Sequence, residues 1–107
     1  TRTDPQAAQE AATKVIESDG VTAIAGPWAS SETIPTAENV TIPAGIPLVS
    51  PSATSPDISE LDDDGLVFRS APSDALQGQV IAQVVAERFG QDARIVEQAR
   101  AAFRCRH

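Results

Sequence analysis

The 107-residue chain contains no methionine and no tyrosine, and only one cysteine, one histidine and one tryptophan. A single cysteine, Cys105, excludes an intrachain disulfide and a cysteine metal cluster. The only histidine is His107, the last residue, so a Ser-His-Asp triad or a histidine-rich metal site has nothing to build on. Positive charge is also scarce: 8 basic residues face 15 acidic ones, for a net charge of -7. No basic face is available for nucleic acid or for an anionic membrane surface. No run approaches 18 apolar residues, so nothing reads as a membrane-spanning helix. The opening TRTDPQAAQE is polar and helix-like and does not read as a signal peptide.

Hydrophobic residues make up 41% of the chain, enough for a small core. The pattern predicts a helix over Pro5–Ser18, with Asp4 as N-cap, Pro5 at the first helical position and Gly20 as the left-handed stop. Ala8, Ala11, Ala12, Val15 and Ile16 form its apolar stripe. VTAIAG then reads as a short strand, apolar on both sides, as in a buried parallel sheet. Ser30 or Ser31 reads as the N-cap of a second helix, with Glu32 in its first turn and Pro43 and Gly45 ending it. IPLVS is a second strand and LVFRS a third, separated by the acidic stretch SELDDDG, which reads as a solvated loop. The clearest helix is PSDALQGQVIAQVVAERFG, capped by Asp74 with Gln77 and stopped by Gly90. Leu76, Val80, Ile81, Val84, Val85 and Phe89 line one face of it.

Strands separated by helices imply an α/β fold with a partial doubly wound, mostly parallel sheet. A sheet of this kind normally opens on a strand, whereas this chain opens on a helix. After Gly90, QDARIV promises a further strand that is cut short. The tail over 91–107 is basic, and reads either as a helix or as an artefact of truncation or a shifted reading frame.

Ligands of open α/β sheets sit at the carboxyl ends of the strands. Two loops fall there: GPWASSE (Gly26–Glu32) and SPSATSPD (Ser50–Asp57). The second crowds Ser50, Ser52, Thr54 and Ser55 between Pro51 and Pro56, more hydroxyls than a turn needs. A carboxylate at Ser30 and Ser31 would meet hydroxyls and unpaired helix N–H groups. Ser52 and Thr54 would add hydroxyl contacts, the Ala53 carbonyl would accept from an ammonium, and Trp28 would wall a side chain. The competing reading makes the serines caps, the loop a turn, Trp28 packing, and Arg69 and Glu32 surface or structural ion pairs. Asp62–Asp64 does not have the spacing of a calcium loop, and GPWASSE does not have the ending of a phosphate loop. No G-x-S-x-G and no internal base support a hydrolase. No cofactor or metal is expected.

Five pieces of this sequence stand in one order: D-P-x-x-A at Asp4–Ala8, V-x-A-I-x-G-P at Val21–Pro27, Ser30–Ser31, G-I-P-L-V-S-P-S-A-T-S-P at Gly45–Pro56, and F-R-x-x-P-S-D-x-x-Q-G at Phe68–Gly78. In that order and spacing the chain resembles type I periplasmic binding proteins. More narrowly, it resembles the extracellular ligand-binding receptors of branched-chain amino acid transport. The resemblance implies that residues 1–90 are part of the N-terminal lobe of a two-lobed clamshell, whose first strand and helix would precede Thr1. It implies a solute-binding component of an ABC importer that delivers an amino acid or similar small polar ligand to a permease. That protein would be periplasmic or extracellular, and anchored by lipid in its parent form. By the same resemblance Ser30 binds the ligand carboxylate, and Ser52, Ala53 and Thr54 bind carboxylate and ammonium; Trp28 is a softer transfer. A disulfide found in some relatives would join Thr3 and Ala29, so it is absent here. A ligand-sensing receptor domain of the same fold, and a fragment without binding of its own, are the alternative readings. An unpaired sheet edge predicts a homodimer or strand-exchanged oligomer of the fragment.

Overall fold

The structure, a computed structural model, describes residues 2–89. The expectations for Gly90 and for residues 91–107 lie outside the described residues. The chain divides into two compact units, 1–71 and 72–107.

In the first unit, helix α1 runs from Pro5 to Asp19. Asp4 caps it as expected, accepting from the Gln6 and Ala7 N–H groups at 2.9 and 3.3 Å. Gly20 ends it at φ 61°, a conformation that costs a residue with a Cβ. Ala8 and Ala12, four apart, are its buried residues, while Ala11 is exposed. Their small side chains face α2 and the segment after it, against which α1 packs.

The second helical stretch is three pieces rather than one helix. α2 covers Ser30–Thr36, a π-helical segment covers Ala37–Thr41, and α3 covers Ile42–Ala44. Pro35 lies inside α2 and has no N–H to offer the carbonyl four residues back. The π segment carries the wider i→i+5 pairing, with the Ile42 N–H on the Ala37 carbonyl. Gly45 at φ 68° closes α3. The expected N-cap is corrected by one residue: it is Ala29, in an extended conformation, and Ser30 is the first helical residue. Glu32 replaces a capping side chain by reaching back to accept from the Ala29 N–H at 3.4 Å. Glu32 is buried rather than at the surface.

Three strands, β1 (Ile24–Ala25), β2 (Leu48–Ser50) and β3 (Val67–Arg69), form a parallel sheet in that order. Leu48 stands between Ile24 and Val67, and Val49 between Ala25 and Phe68. Each strand is shorter than its apolar run. The expectation of strands apolar and buried on both sides is corrected as well. Leu48 is fully buried, but the row Ala25, Val49 and Phe68 is exposed. Side chains alternate along a strand, so this row is one face of the sheet. The core of the unit gathers Ala8, Ala12, Ala37, Leu48, Ala53 and Ile58, with the hydroxyls of Thr33, Thr36, Thr41 and Ser50 buried among them.

The stretch between β2 and β3 is more ordered than a solvated loop. A 3-10 helix covers Pro56–Glu60, and Asp63 accepts from the Gly65 and Val67 N–H groups, turning the chain into β3. Asp63 is a turn former of the kind a short carboxylate makes with its own backbone.

In the second unit, α4 spans Asp74–Phe89. Ser73, not Asp74, caps it: its hydroxyl accepts from the Ala75 N–H, and its carbonyl from Leu76 and Gln77. The apolar face read from the sequence is not where the buried residues lie. Gly78 and Ala82 are the buried residues, four apart and so on one side. Leu76, Val80, Val84 and Phe89 are exposed, with Ile81 and Val85 intermediate.

Candidate functional site

Because β1, β2 and β3 run parallel, the segments that follow them leave the same edge of the sheet. The first is Gly26–Ala29, leading into α2. It opens with Gly26 at φ 122°, reachable only without a side chain, and a cis Gly26–Pro27 bond. The second is Pro51–Ser55, leading into the 3-10 helix. Ser70 begins the third.

Ser50 ties these segments together. It is fully buried at the end of β2. Its hydroxyl donates to the Pro27 carbonyl at 2.7 Å and accepts from the Ala53 N–H at 3.2 Å. One side chain thus joins the first segment to the second. Thr33 secures the first segment from the α2 side, donating to the Ala29 carbonyl at 2.8 Å. Ser70 secures the second from the β3 side, donating to the Pro51 carbonyl at 3.0 Å.

Ser30 makes the other bridge. Its Oγ accepts from the Thr54 N–H at 3.2 Å and from the Ser55 N–H at 3.1 Å. A serine hydroxyl has two acceptor lone pairs and one donor hydrogen. Both acceptor positions are therefore occupied by loop backbone. Only the O–H is left to act outward, and among the described residues it has no acceptor. Ser30 itself is half-buried.

The remaining sequence-derived residues lie around this bridge. Ser52 and Thr54 are half-buried and Ala53 is fully buried, in the chain held by Ser50 and Ser30. Ser31, one position further into α2, is exposed. Trp28 is 70% exposed, at the surface of the first segment rather than packed in the core. The structure thus brings Ser30 onto the Thr54–Ser55 backbone, while Ser31 makes no such link.

Two residues outside the expected set shape the site. Ser50 was one hydroxyl among several in the sequence, and only its place as the last residue of a buried strand marks it. Arg69, read as a surface or structural ion-pair partner, is half-buried and donates to the Ser55 carbonyl and to Ser59 Oγ. Both are neutral oxygens.

Comparison with known proteins agrees with this architecture. Residues 1–91 match the family described as Receptor family ligand binding region. The leucine-, isoleucine-, valine-, threonine- and alanine-binding protein of Pseudomonas aeruginosa is 37% identical over 86 residues, which is 80% of this chain and 22% of that protein. Among solved structures, the branched-chain amino acid transporter substrate-binding protein LivJ of Streptococcus pneumoniae, in complex with isoleucine, superimposes with a TM-score of 0.70 at 30% identity. The match covers 79% of this chain and 24% of LivJ. The leucine-binding protein LivK of Thermotoga maritima superimposes with a TM-score of 0.73 at 28% identity, over 84% of this chain and 25% of LivK. The chain thus spans about a quarter of the length of these relatives. With the family matched over most of its length and its sheet and helices laid out as in these solved relatives, the chain belongs to the receptor ligand-binding family of the type I periplasmic-binding-protein fold.

Proposed function

We propose that this chain is part of the first lobe of the solute-binding component of an ABC importer, and that it holds the α-carboxylate end of an amino acid. The observation that carries this reading is the state of Ser30. With its two lone pairs engaged by the Thr54 and Ser55 N–H groups, its hydroxyl acts toward a ligand as a donor only. A donor-only hydroxyl selects an acceptor such as a carboxylate and does not serve an ammonium. Hydrogen bonds to a charged group are the stronger kind, so one such contact weighs heavily in a small site.

Around it, Ser52 and Thr54 supply further polar contacts, and Trp28 supplies apolar surface to the side chain. Ser31 is a secondary contact at most, being exposed and unconnected to the second loop. The binding names of the Pseudomonas relative and of LivJ favour a branched aliphatic amino acid. Binding is the whole of the activity in this reading, with no catalytic step. In the full-length protein the lobe works outside the cytoplasmic membrane and hands its ligand to a permease. The chain expressed alone self-associates, covering the exposed row of Ala25, Val49 and Phe68.

The test is calorimetric titration of leucine, isoleucine and valine into the full-length protein and into its Ser30→Ala variant. The reading expects saturable binding of at least one of the three, weakened in the variant. Binding that is unchanged by Ser30→Ala would remove Ser30 from the site, and no binding of any amino acid would sink the reading.

A further inference from the structure

Arg69 ends β3 and stands in register with Ser50 of β2. From there its guanidinium reaches across to the chain that follows Thr54. Nη1 donates to the Ser55 carbonyl at 2.6 Å and Nη2 to Ser59 Oγ at 2.5 Å. In a chain with 15 acidic residues a surface arginine finds a carboxylate readily. Arg69 is committed instead to a carbonyl and a hydroxyl. Such contacts fix the direction of a backbone more than they neutralise charge. A planar fork with nitrogens in fixed positions suits this task in a way that a lysine ammonium does not.

Ser55 is the residue held. Its N–H donates to Ser30 Oγ at 3.1 Å, and its carbonyl accepts from Arg69. Its own hydroxyl is shared with Asp57, donating to Oδ2 and accepting from the Asp57 N–H, both at 3.2 Å. The residue is buried and extended, at φ -54° and ψ 133°. Its N–H is thus fixed by α2, and its carbonyl is shared between Arg69 of β3, at 2.6 Å, and the Ile58 N–H of the 3-10 helix, at a longer 3.3 Å.

We propose that Arg69 is a positioning residue of the ligand site. It pulls the Ser55 carbonyl toward β3, which keeps the Thr54 and Ser55 N–H groups on Ser30 Oγ and so leaves the Ser30 O–H for the ligand carboxylate. The proposal rests on the amino-acid-binding reading given above. It assigns Arg69 no contact with the ligand.

Two measurements test it in the full-length protein. The first is amide hydrogen exchange without ligand. Arg69→Gln speeds exchange of the Thr54 and Ser55 amides about tenfold, while the amides of α1 keep their rates. Unchanged rates at both loop amides would overturn the proposal. The second is titration with leucine and isoleucine in a double-variant cycle. Arg69→Gln weakens binding about tenfold, Arg69→Lys by less, and Arg69→Gln added to Ser30→Ala costs little more than Ser30→Ala alone. A full tenfold cost in the Ser30→Ala background would show that Arg69 acts by another route, and the proposal would fall while the carboxylate reading stood. If Arg69→Gln does not fold, Ser59→Ala removes one of the two anchors and shows the same coupling with a smaller loss. If the unaltered protein binds neither amino acid, the binding reading fails, and the exchange rates alone decide whether Arg69 holds the loop.

Discussion

Ser30 and Ser55, 25 positions apart in the chain, are joined by a hydrogen bond of 3.1 Å from the Ser55 N–H to the Ser30 hydroxyl oxygen. The bond is part of a pair, since the Thr54 N–H is held by the same atom. Replacing Ser30 with alanine leaves both amides without that acceptor. The expected result is a loss of ligand affinity of about 1–3 kcal/mol, measured by calorimetry. Thr54→Ala is expected to cost affinity in the same range.

Ser50→Ala tests the bridge beneath the site. The Ser50 hydroxyl is fully buried and serves both the Pro27 carbonyl and the Ala53 N–H. Its removal strands the Ala53 N–H and leaves the Pro27 carbonyl only the 3.4 Å contact from Thr33, so the folded state is expected to lose about 2 kcal/mol in urea denaturation. Ligand affinity falls with it, because the two loops are no longer tied.

Three buried threonines separate hydrogen bonding from shape. Thr36 and Thr41 are fully buried and their hydroxyls have no partner among the described residues. Valine has nearly the same shape without the hydroxyl. Thr36→Val and Thr41→Val are therefore expected to leave stability unchanged or to raise it by about 1 kcal/mol. Thr33→Val is expected to do the opposite and lower it by about 1 kcal/mol, because the Thr33 hydroxyl donates to the Ala29 carbonyl at 2.8 Å. Thermal unfolding of the three variants side by side is the measurement.

The open face of the sheet makes a prediction about this chain expressed alone. Val49 and Phe68 are 42% and 53% exposed and adjacent in register. Light scattering is expected to show a mass above that of one chain, falling toward it when both residues are replaced by lysine. A monomer before substitution would show that the face needs no cover.

The parts of the fold that were legible in the sequence are those fixed by neighbours in the chain. Asp4, Pro5 and Gly20 set the ends of α1 through bonds spanning a few residues, and α1 lies where they put it. The carboxyl-edge position of the two hydroxyl loops followed from strand and helix order alone. What the sequence did not disclose is what distant residues decide. Apolar runs mark β1 and β2, yet whether Val49 is covered depends on elements elsewhere, and nothing in the run itself distinguishes it from Leu48. Ser30 resembles a cap because serine before a helix usually is one. Its actual bonds reach residues 54 and 55, which no local pattern reports. Arg69 was misjudged for the same reason: its partners lie 14 and 10 positions away and carry no charge to betray them. On α4, the large apolar residues drew attention from Gly78 and Ala82, the ones the fold buries.

The π-helical segment bears on how this chain tolerates change in its length. Ala37–Thr41 takes more chain per turn than the α-helical pieces before and after it. Removing one residue there, such as the exposed Glu38, would tighten the segment to ordinary α-helix while α2 and α3 kept their facing toward α1 and the sheet. The same deletion within α2 would turn every later side chain by about 100°. Single-residue gaps among descendants of this sequence therefore belong between 37 and 41, where the helix carries slack.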